Sequence, residues 1–446
     1  MRPAGPIIPP SVSPNHASSP GSIGSFREPT PNTSYPLEHV VRYPPKALTL
    51  MLHSLLTRTP LAVIVIAQLF GTSLWFSVNS VAPALAGAVG LSESELGILT
   101  MAVQAGFVTG TLIIAISGLA DRIRASRLFA IAGVTGALIN AAFILVAADL
   151  YLATAARFIT GLCLAGIYPM GMKLVVSWTP RYAGAALGWL VGMLTLGTAL
   201  PHLLRGATFE LPWQWPLLLA SALALVAAAL IHSLGDGPHL PTASPGIRPG
   251  AGVKAFVQRN FRASAFGYFG HCWELYAFWT LTPFLVSREL ERLGSDPALT
   301  PWVAFLIIGL GLPGCVQGGR MSRWLESFNV ARVALAVSGA LCLVYPLLGA
   351  APPLLLLALL AVWGTTVIAD SPQFSALASA TAPGENVGAA LAIMNAVGFA
   401  VTIPAIALTT SLWASQSLHV LWWLLPGPVL GLLTLHRMNR RELHEI

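Results

Sequence analysis

The sequence predicts an all-α, polytopic membrane protein with twelve transmembrane helices in two pseudo-symmetric six-helix bundles, and three observations carry that prediction. The first is an internal repeat. Phe70-Gly71 precedes Pro83, and Pro169 is followed by Pro180 and then Gly184-Ala185-Ala186-Leu187; the second half answers with Phe269-Gly270 before Pro283, then Pro372, Pro383 and Gly388-Ala389-Ala390-Leu391, at offsets of 199 to 204 residues. A period of that length carried on apolar segments fits two similar halves around one central cavity. The second is composition: of 446 residues 9% are charged and 55% hydrophobic, and the apolar runs are too long and too many for the core of one soluble domain. The third is the length of those runs, which reach the roughly 20 residues a helix needs to cross the hydrocarbon. Backbone polar groups find no partner in lipid, so the spans must be helices; a β-barrel would show alternation instead.

Taken in order, the first half holds spans near 60–81, 96–117, 128–147, 151–174, 183–204 and 215–234, within a bundle set at 58–234. Residues 235–262 then exchange the apolar run for Gly, Pro and basic residues, including Pro241-Thr242-Ala243-Ser244-Pro245-Gly246, the signature of a linker. The second bundle, 263–437, holds spans near 263–287, 301–319, 329–349, 354–379, 386–410 and 417–436, and 438–446 form a short tail. Residues 1–57 are rich in Pro and Ser and lack a signal-peptide apolar run, so a disordered cytoplasmic arm is expected; translation from Met51 is the alternative.

Lys and Arg set orientation. With the amino terminus inside, 19 of the 24 Lys and Arg face the cytoplasm, and only Arg205, Arg288 and Arg292 fall outside. Both termini are therefore expected to be cytoplasmic, and the formal charge of +7 is a topology signal that gives no reason to expect nucleic-acid binding. The four cysteines, Cys163, Cys272, Cys315 and Cys342, fall in spans with no metal-ligand spacing, so neither metal nor cofactor is expected. There is no Gly-x-x-x-x-Gly-Lys-Ser/Thr loop and no soluble stretch long enough for a nucleotide-binding domain, so any transport would draw on a proton or other ion gradient. No nucleophile–base constellation suggests an enzyme.

At the loop after the second span, Leu119-Ala120-Asp121-Arg122 resembles the core of the cytoplasmic loop motif of the major facilitator superfamily, with Ser117 and Arg124 where that family has glycines. Gly318-Gly319-Arg320-Met321-Ser322-Arg323 is its weakened counterpart in the second half. The resemblance covers essentially 58–437. It implies a latch: Asp121 accepts hydrogen bonds from helix amino termini of the other half, while Arg122, Arg320 and Arg323 hold the cytoplasmic surface. Arg157-Phe158-Ile159-Thr160-Gly161 with Gly166 resembles the fourth-helix motif of the family, an intramembrane arginine ahead of spaced glycines. Small residues allow close helix approach, and the arginine needs a partner, because a charge at the bilayer centre costs about 2.5–3.5 kcal/mol.

Glu274, near the middle of the seventh span, corresponds by the repeat to Trp75, Phe76 and Ser77 of the first span. The resemblance makes both helices cavity-lining, so Glu274 is expected to carry a proton or to pair with substrate or with Arg157. His271, one turn earlier, is placed to share that proton. Lys173 and Asp370 fall toward the cytoplasmic ends of the fourth and tenth spans; a Lys173–Asp370 inner gate is one reading and a snorkelling lysine the other. Asn79, Gln104, Gln68 and Asn395 are candidate hydrogen-bonding groups, and Trp75, Trp273 and Tyr276 candidate aromatic walls.

Gly270-His271-Cys272-Trp273-Glu274-Leu275-Tyr276 and the run Ala369–Leu377 resemble the cyanate-permease and nitrate/nitrite-permease-like branch, although the arginines that nitrate carriers use in the second and eighth spans are absent. The expectation is a monomeric secondary active transporter of the cell membrane, moving a small anion or polar metabolite by alternating access coupled to protons. A proton-driven multidrug or metabolite efflux antiporter is the alternative, and a non-transporting membrane sensor or subunit is the alternative of a different class.

Overall fold

A computed structural model describes residues 56–239, 249–383 and 387–438. The arm at 1–57 lies almost wholly outside this range, as do the middle of the linker and the tail. The described chain is helical, with no strand among the described residues. In order the helices are α1 (Pro60–Thr72), α2 (Ala82–Val89), α3 (Glu93–Ser117), α4 (Leu119–Arg122), α5 (Ala125–Val146), α6 (Leu150–Trp178), α7 (Ala183–Ala207) and α8 (Gln214–Leu234). The second half continues with α9 (Pro249–Lys254), α10 (Arg259–Arg292), α11 (Leu299–Gly309), α12 (Gly311–Leu347), α13 (Pro353–Thr366), α14 (Ser371–Thr381), α15 (Val387–Gln416) and α16 (Pro426–His436). Among the described residues, eight helical runs are long and apolar enough to cross a membrane, and Leu299–Leu347 and Val387–His436 each carry two of the predicted spans. The eighth span turns into the ninth where Glu326 leaves helical geometry (φ 64, ψ 148).

Two predicted spans are broken by stretches of several residues, besides a one-residue step at Leu310 in the eighth. The first was expected to run 60–81, but the helix stops at Thr72 and resumes at Ala82. Serine hydroxyls explain the stop. Ser73 Oγ donates to Phe70 O (2.6 Å), Ser77 Oγ to Leu74 O (3.1 Å) and Ser80 Oγ to Ser77 O (2.8 Å), so local side-chain bonds compete with the helical ladder. Pro83 then restarts the helix in its first turn, where its missing N–H is no loss. The tenth span, expected over 354–379, breaks between Thr366 and Ser371 and restarts on Pro372 in the same way.

Glycines set the closest packing. A Cβ on Gly106 would lie 1.9 Å from Phe158 O and one on Gly161 2.1 Å from Val103 O, so α3 and α6 cross backbone to backbone, as the spaced glycines of the fourth span predict. Between the halves, α3 packs on α15, and α7 packs on α11 and α12. Gly118 ends α3 in the left-handed conformation (φ 64), so the turn into the loop motif is made one residue beyond Ser117.

Candidate functional site

The two halves meet at an aromatic cluster. Trp75, in the break of the first span, lies 4.8 Å from Phe107 of α3, 5.5 Å from Tyr276 of α10 and 5.7 Å from Phe399 of α15, centroid to centroid. Tyr276 also meets Trp279 edge-on at 5.0 Å, and Phe107 meets Phe399 at 4.4 Å. All of these rings are buried. Tilted and edge contacts at such spacings are favourable beyond the area they bury, so four elements from both halves are held by one plug. Its polar atoms are not all satisfied: Trp75 Nε1, Trp279 Nε1 and both amide atoms of Gln104, which precedes Phe107 by one helical turn, are buried without a hydrogen-bond partner among the described residues. Of the predicted wall and site residues, Trp75 and Tyr276 lie in the plug, whereas Trp273 Nε1 donates to Trp423 O. Asn79 Nδ2 donates to Thr100 Oγ1 at 2.8 Å.

Arg157 is 1% exposed and answers the broken helix. Its Nη2 donates to Trp75 O (2.5 Å), and its Nη1 to Leu74 O (3.2 Å), Asn140 Oδ1 (3.3 Å) and Ser77 Oγ (3.4 Å). The guanidinium thus caps carbonyls that the lost helical ladder leaves open in a region without water. Asn140 extends the network to Leu217 O and Ser221 Oγ.

Glu274 is fully buried and does not meet Arg157. Its Oε1 accepts from Trp363 Nε1 (2.6 Å) and its Oε2 from Ser338 Oγ (3.0 Å), which places it inside the second half. His271 Nδ1 lies 2.8 Å from Asp370 Oδ1, at ion-pair distance but out of line for a hydrogen bond. Asp370 sits at the break of the tenth span, with His271 beside it. Lys173 is half-buried, Arg122 is exposed, and the side chain of Asp121 lies outside the described residues.

Two cavities flank the plug at opposite ends of α7 and of the eighth span. One, of about 350 Å³, is lined by Gly188 and Trp189 of α7, Cys315, Arg320 and Arg323 of α12, and Gln373 of α14. The other, of about 280 Å³, is lined by Asn79, by His202 and Arg205 at the far end of α7, and by Phe284, Pro297 and Thr300. Each carries arginine, and no acid is among the described lining residues. Arg320 and Arg323, predicted as gate residues, come together in the first cavity. His202 belongs to no sequence motif and Arg205 enters the sequence only through topology; their i, i+3 spacing in an apolar span is the available signal.

A membrane-embedded pair of helical bundles with a buried plug at the seam and a cavity on either side is the architecture of a transporter. The family model described as Major Facilitator Superfamily matches residues 64–406, and the chain belongs to that family, whose members are transporters and not enzymes. Members bind small-molecule substrates and use ion gradients in a membrane. Solved structures with the same fold include the proton:xylose symporter XylE bound to 6-bromo-6-deoxy-D-glucose (TM-score 0.66, 12% identity, covering 86% of this chain and 95% of its own). A bacterial homolog of the human lysosomal transporter Spinster, inward-facing and unoccupied, matches with TM-score 0.63 at 12% identity over 85% and 94% of the two chains. The human organic anion transporter MFSD10 matches with TM-score 0.61 at 13% identity over 86% and 99%. No curated protein matches the chain.

Proposed function

We propose that this chain is a secondary active transporter of a small anion, working by alternating access and driven by protons, in the cell membrane with both termini cytoplasmic. The observation that carries the reading is that both cavities present arginine and no described acid, Arg320 and Arg323 on one side and Arg205 on the other. Between them the plug offers N–H donors without partners, at Trp75, Trp279 and Gln104, the complement of an anion that sheds its water in passing. Rocking of the two bundles separates Trp75 and Phe107 of the first half from Tyr276 and Phe399 of the second and exposes these donors to one cavity at a time. Glu274 is the proposed proton carrier, and His271 with Asp370 ties the seventh span to the break in the tenth. The resemblance to the cyanate-permease and nitrate/nitrite-permease-like branch points the same way, with cargo other than nitrate.

The test is counterflow in liposomes with a panel of small inorganic and organic anions, amino acids and cationic drugs. Anion exchange that falls sharply in the Arg320→Gln/Arg323→Gln double variant supports the reading. Exchange stimulated by bulky cations alone would overturn it in favour of efflux.

A further inference from the structure

The vestibule at the far end of α7 holds a buried group that the transport cycle above does not use. His202 is 1% exposed, lines the cavity of about 280 Å³, and its Nε2 has no hydrogen-bond partner among the described residues. In either neutral tautomer that atom is a donor or an acceptor, and leaving it unmet in burial costs about 1–3 kcal/mol. Arg205 lines the same cavity three residues on. Its Nη1 donates to Thr208 O (3.3 Å) and Leu211 O (3.2 Å), and its guanidinium carbon lies 4.9 Å from the centroid of the Phe209 ring. These contacts fix the plane of the fork while Nη2 and Nε keep no partner among the described residues. Pro83, Pro283, Pro297, Pro301 and Phe284 contribute rings to the remaining wall, beside aliphatic side chains and the polar groups of Asn79, Ser80, Ser287 and Thr300, and proline contributes no N–H. Two acids lie outside the lining but close to it: exposed Glu210, whose charge acts on Arg205, and Glu291, whose Oε1 accepts from Ser287 Oγ at 2.9 Å.

We infer that this vestibule is a binding site for a compact monocarboxylate with an apolar body. Arg205 and His202 Nε2–H hold the carboxylate, and the proline and phenylalanine rings hold the body. An arginine fork matches a carboxylate in geometry as well as charge, and the volume, about 280 Å³, lies just under the usual range for ligand sites and so suits a compact ligand. Its role as the first stop of a transported anion rests on the reading above, whereas the binding itself does not.

Calorimetric titration of the purified protein with benzoate, and with benzamide as the uncharged analogue, tests the site. Benzoate should bind and benzamide should not. Arg205→Gln should weaken benzoate by about tenfold or more, the equivalent of one charge-assisted hydrogen bond, and His202→Phe should weaken it several-fold. Arg332→Gln, which removes a surface arginine stacked on Phe328 and outside the cavity, should leave binding unchanged. A second readout needs no loss of charge: all four native cysteines are buried, so maleimide reports on Ser287→Cys at the cavity wall, and benzoate but not benzamide should slow the labelling. Equal binding of the two ligands, or no protection at Ser287→Cys, overturns the site, as does benzoate binding unmoved by Arg205→Gln in protein that keeps its melting temperature. Benzoate binding and protection without anion counterflow would leave the site standing and remove the transport reading; counterflow without protection would do the reverse.

Discussion

Arg157 in the first half and Glu274 in the second each sit in a buried hydrogen-bonded knot, and the two have opposite signs. In the first half the charge is Arg157 on the fourth span, surrounded by oxygens: Leu74 O, Trp75 O, Ser77 Oγ and Asn140 Oδ1. In the second it is Glu274 on the seventh span, surrounded by donors: Ser338 Oγ and Trp363 Nε1. The backbone explains the difference. The first span breaks after Thr72 and exposes carbonyls that require a donor, whereas its counterpart α10 runs unbroken over Arg259–Arg292 and satisfies its own backbone. An arginine answers the interrupted first span, whereas the unbroken α10 holds an acid; the break in the tenth span carries Asp370 with His271 beside it instead.

The sharpest way to break this comparison is Arg157→Met. If the arginine caps the broken helix, the Trp75 carbonyl loses its side-chain donor, the Leu74 carbonyl keeps only Ser77 Oγ, and the protein loses about 2–5 kcal/mol, read as a large drop in thermal midpoint in detergent. Arg157→Lys should recover only part of it, since one ammonium cannot reach two carbonyls and two side chains in a fixed fork. A methionine variant as stable as the parent would mean that the break is held by packing alone.

Next in size is Trp363→Phe, which keeps an aromatic ring against Phe278, now 4.7 Å away, but withdraws the donor from Glu274 Oε1. Hydrogen bonds to a charged group contribute about 1.5–3 kcal/mol, and a comparable loss of stability is expected at a pH where Glu274 is ionised. Glu274→Gln should be milder. Its Oε1 still accepts from Trp363, and its Nε2 can donate to Ser338 Oγ, which turns its own proton toward Leu335 O, already 3.3 Å away. Stability should change by less than about 1 kcal/mol, while accumulation driven by a pH gradient is abolished and counterflow survives. Unchanged accumulation removes Glu274 from coupling.

Much of this was legible in the sequence, for reasons that also mark the limit. Hydropathy and the repeat place the twelve spans because both are averages over about 20 residues. They do not show the break at Thr72 or at Thr366, since serine-to-carbonyl bonding leaves the mean apolarity almost untouched; Pro83 and Pro372 were the local hints. Arg157 and Glu274 stand out because charges are rare in lipid. Their partners do not, because Ser338 and Trp363 lie 64 and 89 residues from Glu274, and only the packing of the ninth and tenth spans brings them there. For the same reason the proximity of His271 and Asp370, residues of the seventh and tenth spans, is visible only in the structure.

The smallest effect discriminates most finely between the knots. Each contains a serine that donates to its acceptor: Ser338 to Glu274 Oε2 at 3.0 Å, and Ser77 to Asn140 Oδ1 at 2.6 Å. Interhelical hydrogen bonds in membranes average about 0.6 kcal/mol, and Ser338→Ala should destabilise by that amount. Ser77 also lies 3.4 Å from Arg157 Nη1 and accepts from it, so one hydroxyl serves two partners and Ser77→Ala should cost about twice as much. A double-mutant cycle separates the cases. Ser77→Ala with Asn140→Ala should show strong coupling, because the arginine loses two acceptors of one network. Ser338→Ala with Glu274→Gln should be close to additive, because the amide Nε2 donates to Ser338 Oγ and so keeps the hydrogen bond with its direction reversed, and removing the serine costs about the same in both backgrounds. Strong coupling in the second pair as well would mean that the serine orients the acid, and that the second half is built as tightly around its charge as the first.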